Sequence, residues 1–344
     1  MSILLSHISA LEALRSPLLN KAALTAEEAA LSAPSSKPAG HELEQAATIL
    51  EATGNLPQAK IEVLVCNRKA RMRTHEVSAH IHSGILPPRS VIRLTQDVYC
   101  AGPALIAAQL AAEFEDLETI MLLCELLGTY GICKSAPGGM TQRFEPPETK
   151  ASLSEKLLWL RGMRGVERAR TLLRHACSGA ASPQEAKTSL RFGLRPGLGG
   201  YGIVPTSMNE SLITSDFGEV FPNHVRKPDI LFLAGDGNAA MMPFRGVALE
   251  YKGRDYHSTP EQMAEDSRRR NELLAIGIKD YEIDKLCYDN SIYMDNLAEQ
   301  IRRDLGRPGQ RLCYDESARR RKLRRSLKAK LDAIDGVHWS SRAP

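Results

Sequence analysis

The chain has 344 residues, 43% of them hydrophobic, and a net charge of +4. At roughly 150 residues per domain this predicts two domains with ordinary cores. The longest central run without charge, Val98 to Ala112, is broken by Pro103 and falls short of the ~18 apolar residues a membrane span needs. The first residues lack the basic stretch of a secretory signal, so a cytoplasmic protein with no membrane partner is expected. The seven cysteines, at 66, 100, 124, 133, 177, 287 and 313, include no C-x-x-C pair, which excludes a zinc knuckle or a redox motif.

In chain order, Ile3, Leu4, Ile8, Leu11 and Leu14 have nearly helical spacing and predict a helix over Ile3 to Arg15, ended by Ser16-Pro17. Residues 33 to 40 read as a loop. Ile61 to Cys66 reads as a strand, followed by a basic stretch from Arg68 to Arg73. Short strands are expected at Ser90 to Leu94 and Val98 to Cys100. Helices are expected from Pro103 and over Leu117 to Leu127, the second stopping at Gly128. His75, His80 and His82 cluster loosely with only Glu76 at ligand spacing, and read as solvated loop histidines in preference to a metal site. Gly138-Gly139 and Pro146-Pro147 mark a loop taken as the domain boundary, so a mixed α/β N-terminal domain is expected over 1–145. The helical stretch beyond it carries Arg161, Arg164, Arg168, Arg170 and Arg174, which could touch phosphates but are read as a solvated face in preference.

The second half alternates helices and strands. Ser182-Pro183 supplies a cap and a first-turn proline for a helix bearing Glu185. Gly193 to Gly202 is glycine-rich but lacks the Lys-Ser/Thr ending of a phosphate loop. A hairpin-like region spans Tyr201 to Phe221. Two strands follow, Asp229 entering one and Val247 to Lys252 forming the other. Thr259-Pro260 opens a helix ended by Gly277, Asp280 to Tyr288 reads as a strand, and Ser291 to Leu305 as a helix.

Chemistry concentrates at Val247-Ala248-Leu249-Glu250-Tyr251-Lys252-Gly253. Residues two apart on a strand share a face, so Glu250 and Lys252 point together while Val247, Leu249 and Tyr251 point to the other side. Such charges on an apolar strand are costly to bury without partners. Asp229 lies upstream beside another apolar run, Ile230 to Leu233. An aspartate followed by Glu-x-Lys on neighbouring strands resembles the PD-(D/E)XK nuclease superfamily. The run Glu250-Tyr251-Lys252-Gly253, His257, Asp266, Arg269, Leu274 and Gly277 resembles its branch related to very-short-patch-repair endonucleases, which includes proteins of the DUF559 type.

The resemblance implies a restriction-endonuclease-like α+β core over 150–310, with a mixed central sheet flanked by helices. It implies Mg²⁺ or Mn²⁺ held by Asp229, Glu250 and the Tyr251 carbonyl, with Lys252 beside the attacking water. Glu185 matches the family's upstream acid, and His257 and Asp266 take supporting catalytic roles. The implied activity is metal-dependent endonucleolytic hydrolysis with DNA as partner. The alternative is a catalytically degenerate, DNA-binding regulator of toxin–antitoxin or abortive-infection type. Residues 301 to 330 carry +9 and the remainder −5. Within the tail at 311–344, Arg319, Arg320, Arg321, Lys322, Arg324 and Arg325 are expected to contact nucleic acid, on a helix whose Leu323, Leu327 and Leu331 form an apolar stripe.

Overall fold

A computed structural model describes residues 2–19, 25–55, 60–214, 224–235, 243–253, 259–307 and 313–339. The chain forms two compact units, Met1–Ala176 with Ile334–Pro344, and Cys177–Ala333. The division therefore falls beyond the loop at 138–147: the helices that follow that loop cluster with the first unit, and so does the end of the chain.

The first unit comprises β1 (Ile3–Leu5), α1 (His7–Arg15), β2 (Thr25–Ala26), β3 (Leu31–Ser32), α2 (Gly40–Glu51), β4 (Ile61–Val65), β5 (Val77–Ile81), β6 (Ile85–Leu86), β7 (Val91–Arg93), β8 (Val98–Ala101), α3 (Pro103–Ala111), α4 (Asp116–Leu126), β9 (Tyr130–Ile132), β10 (Met140–Gln142), α5 (Lys150–Trp159) and α6 (Val166–Leu173). Its main sheet has the order β2-β7-β8-β1-β4-β5. It is mixed, β1 running parallel to β8 and antiparallel to β4, and β4 parallel to β5. The helix expected over Ile3 to Arg15 is thus a strand followed by a helix. Ile3, Leu4 and Leu5 are all buried. An internal strand covered on both faces shows no period-two alternation, which is why it blended into the helical spacing after it. His80 also departs from expectation: it lies on β5 rather than in a loop.

The second unit comprises α7 (Pro183–Gly193), β11 (Leu212–Thr214), β12 (His224–Arg226), β13 (Ile230–Leu233), β14 (Gly246–Tyr251), α8 (Pro260–Ala275), β15 (Ile278–Ile283), α9 (Lys285–Asp289), α10 (Ser291–Asp304) and α11 (Tyr314–Ala333). The predicted cap is present: Ser182 Oγ accepts from the Glu185 amide at 3.2 Å. A three-stranded sheet has the order β13-β14-β15, with β13 antiparallel and β15 parallel to β14. Leu231, Ala248, Leu273 and Ile278 form an apolar cluster under α8. On the other face Phe232 meets Phe192 of α7, and Tyr251 meets Tyr288 edge-on. The strand expected over Asp280 to Tyr288 ends at Ile283, because the Asp284 side chain accepts from the Cys287 amide and starts α9.

The basic tail is helical as α11, with Leu327 and Leu331 buried. Arg324 pairs with Asp295 at 2.8 Å and lies over the Tyr201 ring, while Lys328 pairs with Asp289 at 2.8 Å. Among the described residues no helix is long and apolar enough to cross a membrane.

Candidate functional site

The register of the three-stranded sheet assembles the site. Ile230 pairs with Leu249, so the preceding Asp229 stands opposite Glu250 at the end of the antiparallel ladder. On the other side Ala248 pairs with Asp280 and Glu250 with Glu282. Directly paired residues share a face, and so do residues two apart. Asp229, Glu250, Lys252, Asp280 and Glu282 therefore line one face, continuing the stripe that Leu231, Ala248 and Ile278 occupy at its apolar end. Polar α8 residues lie over the charged end: Arg269 Nη2 donates to Glu250 Oε1, Arg270 pairs with Glu282 at 3.1 Å, and Asp266 meets Lys252.

Asp229 accepts the Tyr251 amide at 2.7 Å, and its carboxyl stands opposite that of Glu250, close enough for each to feel the other's charge. Two neighbouring carboxylates resist ionising together, since like charges 4 Å apart at an effective dielectric of 20 repel by about 4 kcal/mol. Burial, then the neighbouring Asp229, pushes Glu250 up to about 8, against the pull of Arg269. Burial likewise raises Asp229 above the usual carboxylate range, and holds Asp280 at about 6. The Asp280 Oδ1 atom is buried with no hydrogen-bond partner among the described residues. The face thus carries more carboxylate than its cations neutralise, with hard oxygen donors. That donor set fits a small divalent cation.

Lys252 Nζ sits 2.5 Å from Asp266 Oδ2 and 3.1 Å from Glu282 Oε1. Desolvation lowers its proton affinity, but the hydrogen bonds to Asp266 and Glu282 outweigh this and raise it. Lys252 is therefore a held cation and not a base. A cavity of about 520 Å³ opens beside Lys252 and Glu282 and extends along the loop into α9.

Glu185 lies near enough to Asp229 to feel its charge, and burial followed by that charge raises its proton affinity. Its oxygens, however, accept from the Ala181 amide, Ser182 Oγ and Asn209 Nδ2 at 2.8, 2.8 and 2.7 Å. It secures the start of α7 behind Asp229. His257 lies outside the described residues. Of the six tail cations, Arg319 and Arg320 pair with Glu316, Arg321 donates to Ser317 and Arg324 is anchored on Asp295. Lys322 and Arg325 are exposed.

Sequence reasoning missed Asp280 and Glu282. Their signal was present as alternation in Ile278, Asp280 and Glu282, but placing the strand's start at Asp280 concealed the parallel register with Ala248 and Glu250. Comparisons with family models, with curated proteins and with solved structures found no match for this chain.

Proposed function

We propose that the second unit is a metal-dependent endonuclease of the PD-(D/E)XK type, in the branch related to very-short-patch-repair endonucleases, with DNA as its substrate. The observation that carries this reading is the opposed pair of half-buried Asp229 and buried Glu250 at the end of one ladder, with Lys252 on the same face. The antiparallel pair followed by a helix and a parallel strand supports a restriction-endonuclease-like core.

Asp229 and Glu250 would hold Mg²⁺ or Mn²⁺, joined by the carbonyl of Tyr251, which follows Glu250 in the chain. The ion supplies charge neutralisation at the phosphoryl oxygens and acidifies a bound water. Lys252, kept protonated by Asp266 and Glu282, stabilises negative charge developing at the phosphate. Arg269 covers the Glu250 carboxylate, and releasing it would provide a guanidinium for a phosphate oxygen. Exposed Lys322 and Arg325 on α11 add phosphate attraction that is independent of sequence.

Purified protein with Mn²⁺ or Mg²⁺ should nick supercoiled plasmid. Glu250→Gln and Asp229→Asn should each reduce the rate by about 10²-fold or more, the scale set by losing a preorganised electrostatic contact. Undiminished cleavage by Glu250→Gln would overturn the assignment. The ion pairs of Glu250 with Arg269 and of Lys252 with Asp266 and Glu282 favour one second reading, a degenerate site that stabilises a DNA-binding regulator without metal. Specific DNA binding with no Mn²⁺ uptake would select it.

A further inference from the structure

The first unit contains a cleft of about 730 Å³ that the nuclease reading does not use. Arg71 and Arg73, ahead of β5, line part of it, and Arg161 and Arg164, between α5 and α6, line another part. All four are exposed, and no side-chain ion pair or hydrogen bond of theirs occurs among the described residues. Exposed Trp159 and Ile85 flank them.

The inner lining holds an unsatisfied donor. Gln109 is 6% exposed. Its Oε1 accepts from the His7 amide at 2.9 Å. A backbone N–H needs an acceptor, so this contact orients the amide and leaves Nε2 as a donor. Nε2 is buried with no partner among the described residues, and His82 Nε2, also lining the cleft, is in the same state. His7 holds the left-handed φ of 50° at the start of α1, a strained conformation for a residue with a Cβ, and it is this residue's N–H that secures Gln109.

A cation is the competing occupant, since one ligand atom each from His7, His80 and Glu113 lies within 4.8 Å of the others. Two facts weigh against it. The His7 and His80 rings stack face to face at 3.7 Å, whereas a metal must lie near the plane of each imidazole it binds. Four arginines also outnumber the carboxylate at this lining, Glu113. Uncompensated guanidinium groups and an orphaned amide N–H call for an acceptor-rich anion, and planar guanidinium forks match phosphate.

We propose that this cleft binds the phosphate backbone of a nucleic-acid strand. A strand is the occupant argued for because four arginines from two separate segments line a cleft of this size, and exposed Trp159 offers a stacking face. The proposal stands on the first unit alone and does not depend on the nuclease reading.

The test uses the full-length chain in EDTA, which removes any metal contribution from the second unit, and reads the anisotropy of a labelled DNA single strand and its duplex across a salt series. Arg71→Ala with Arg73→Ala, and separately Arg161→Ala with Arg164→Ala, should each weaken binding about tenfold or more and flatten the salt slope by about 1 per arginine. Both pairs are exposed, so thermal unfolding should not move. The arginine variants should keep Mn²⁺ binding in the second unit. Wild-type affinity in both double variants would overturn the proposal. So would a loss confined to ATP or inorganic phosphate with DNA binding intact, which would reduce the cleft to a small-anion site.

Discussion

At the scale of single residues, the site proposed in the second unit would link protonation to metal occupancy. Glu250 is raised on folding to about 8, far above its free value, and Asp280 moves the same way. A carboxyl raised on folding binds a proton that the unfolded chain has already released. Its stabilisation is complete below the unfolded value and is lost as pH rises through the folded one. Metal-free protein should therefore lose stability between about pH 4.5 and pH 8, by a few kcal/mol in all, since each tenfold change in proton affinity is worth about 1.4 kcal/mol. Divalent cation should remove most of that fall, because the ion takes the place of the proton. Denaturant midpoints measured across this range with and without Mn²⁺ check both parts. A flat metal-free profile would show that Arg269 already neutralises Glu250. The first unit has a different buried charge, Arg15, which donates to Glu125 at 2.8 and 2.5 Å and to Glu12 at 2.7 Å. Arg15→Met would remove the guanidinium shared by two buried carboxylates, leaving Glu12 with Asn55 and Glu125 with Arg143 and the Ile132 amide, and should cost about 3–5 kcal/mol in chemical denaturation.

At the scale of elements, α11 divides into anchored and outward cations. Arg324 contacts Asp295 and the Tyr201 ring, whereas Lys322 and Arg325 reach solvent. Arg324→Ala should destabilise the second unit by about 1 kcal/mol, from a partly buried pair and a cation–π contact. Charge reversal at Lys322 and Arg325 should leave the melting temperature in place while weakening DNA binding. Helices with distinct start signals were legible in the sequence: Ser182-Pro183, Pro103 and Thr259-Pro260 each open one. The Asp229 and Glu250 strands were legible because their apolar runs are short and each bears a charged residue. The strand at Ile3–Leu5 was not, since its pairing partners lie far along the chain and its burial on both faces erases the alternation. Asp280 and Glu282 were concealed for a related reason, because a parallel register follows from the crossover and not from local pattern. The arginines of the first unit's cleft were legible as two basic stretches, but their meeting in one cleft was not, as its lining comes from segments distant in sequence.

At the scale of the whole molecule, the chain leaves the first unit at Ala176 and rejoins it at Ile334. The returning segment is part of a core: Ile334, Val337 and Trp339 are buried, and Trp339 stacks on Phe114 at 4.3 Å. Removing residues 317–344 would thus take away more than a basic surface. It would strip the Leu327 and Leu331 stripe from the second unit and the Trp339 contact from the first, so any lost nucleic-acid binding could not be assigned to charge. Removing only 334–344 is more informative. Both tryptophans of the chain, Trp159 and Trp339, belong to the first unit, so fluorescence follows that unit while far-UV circular dichroism follows both. The shorter deletion leaves Trp159 as reporter and exposes Phe114. Loss of the buried Trp339 side chain alone should cost the first unit about 3–5 kcal/mol. The fluorescence midpoint in denaturant should fall accordingly, while a second, dichroism-detected transition stays near its original position and Mn²⁺ binding in the second unit persists. One coincident transition, shifted as a whole, would show instead that the two units unfold as a single cooperative body.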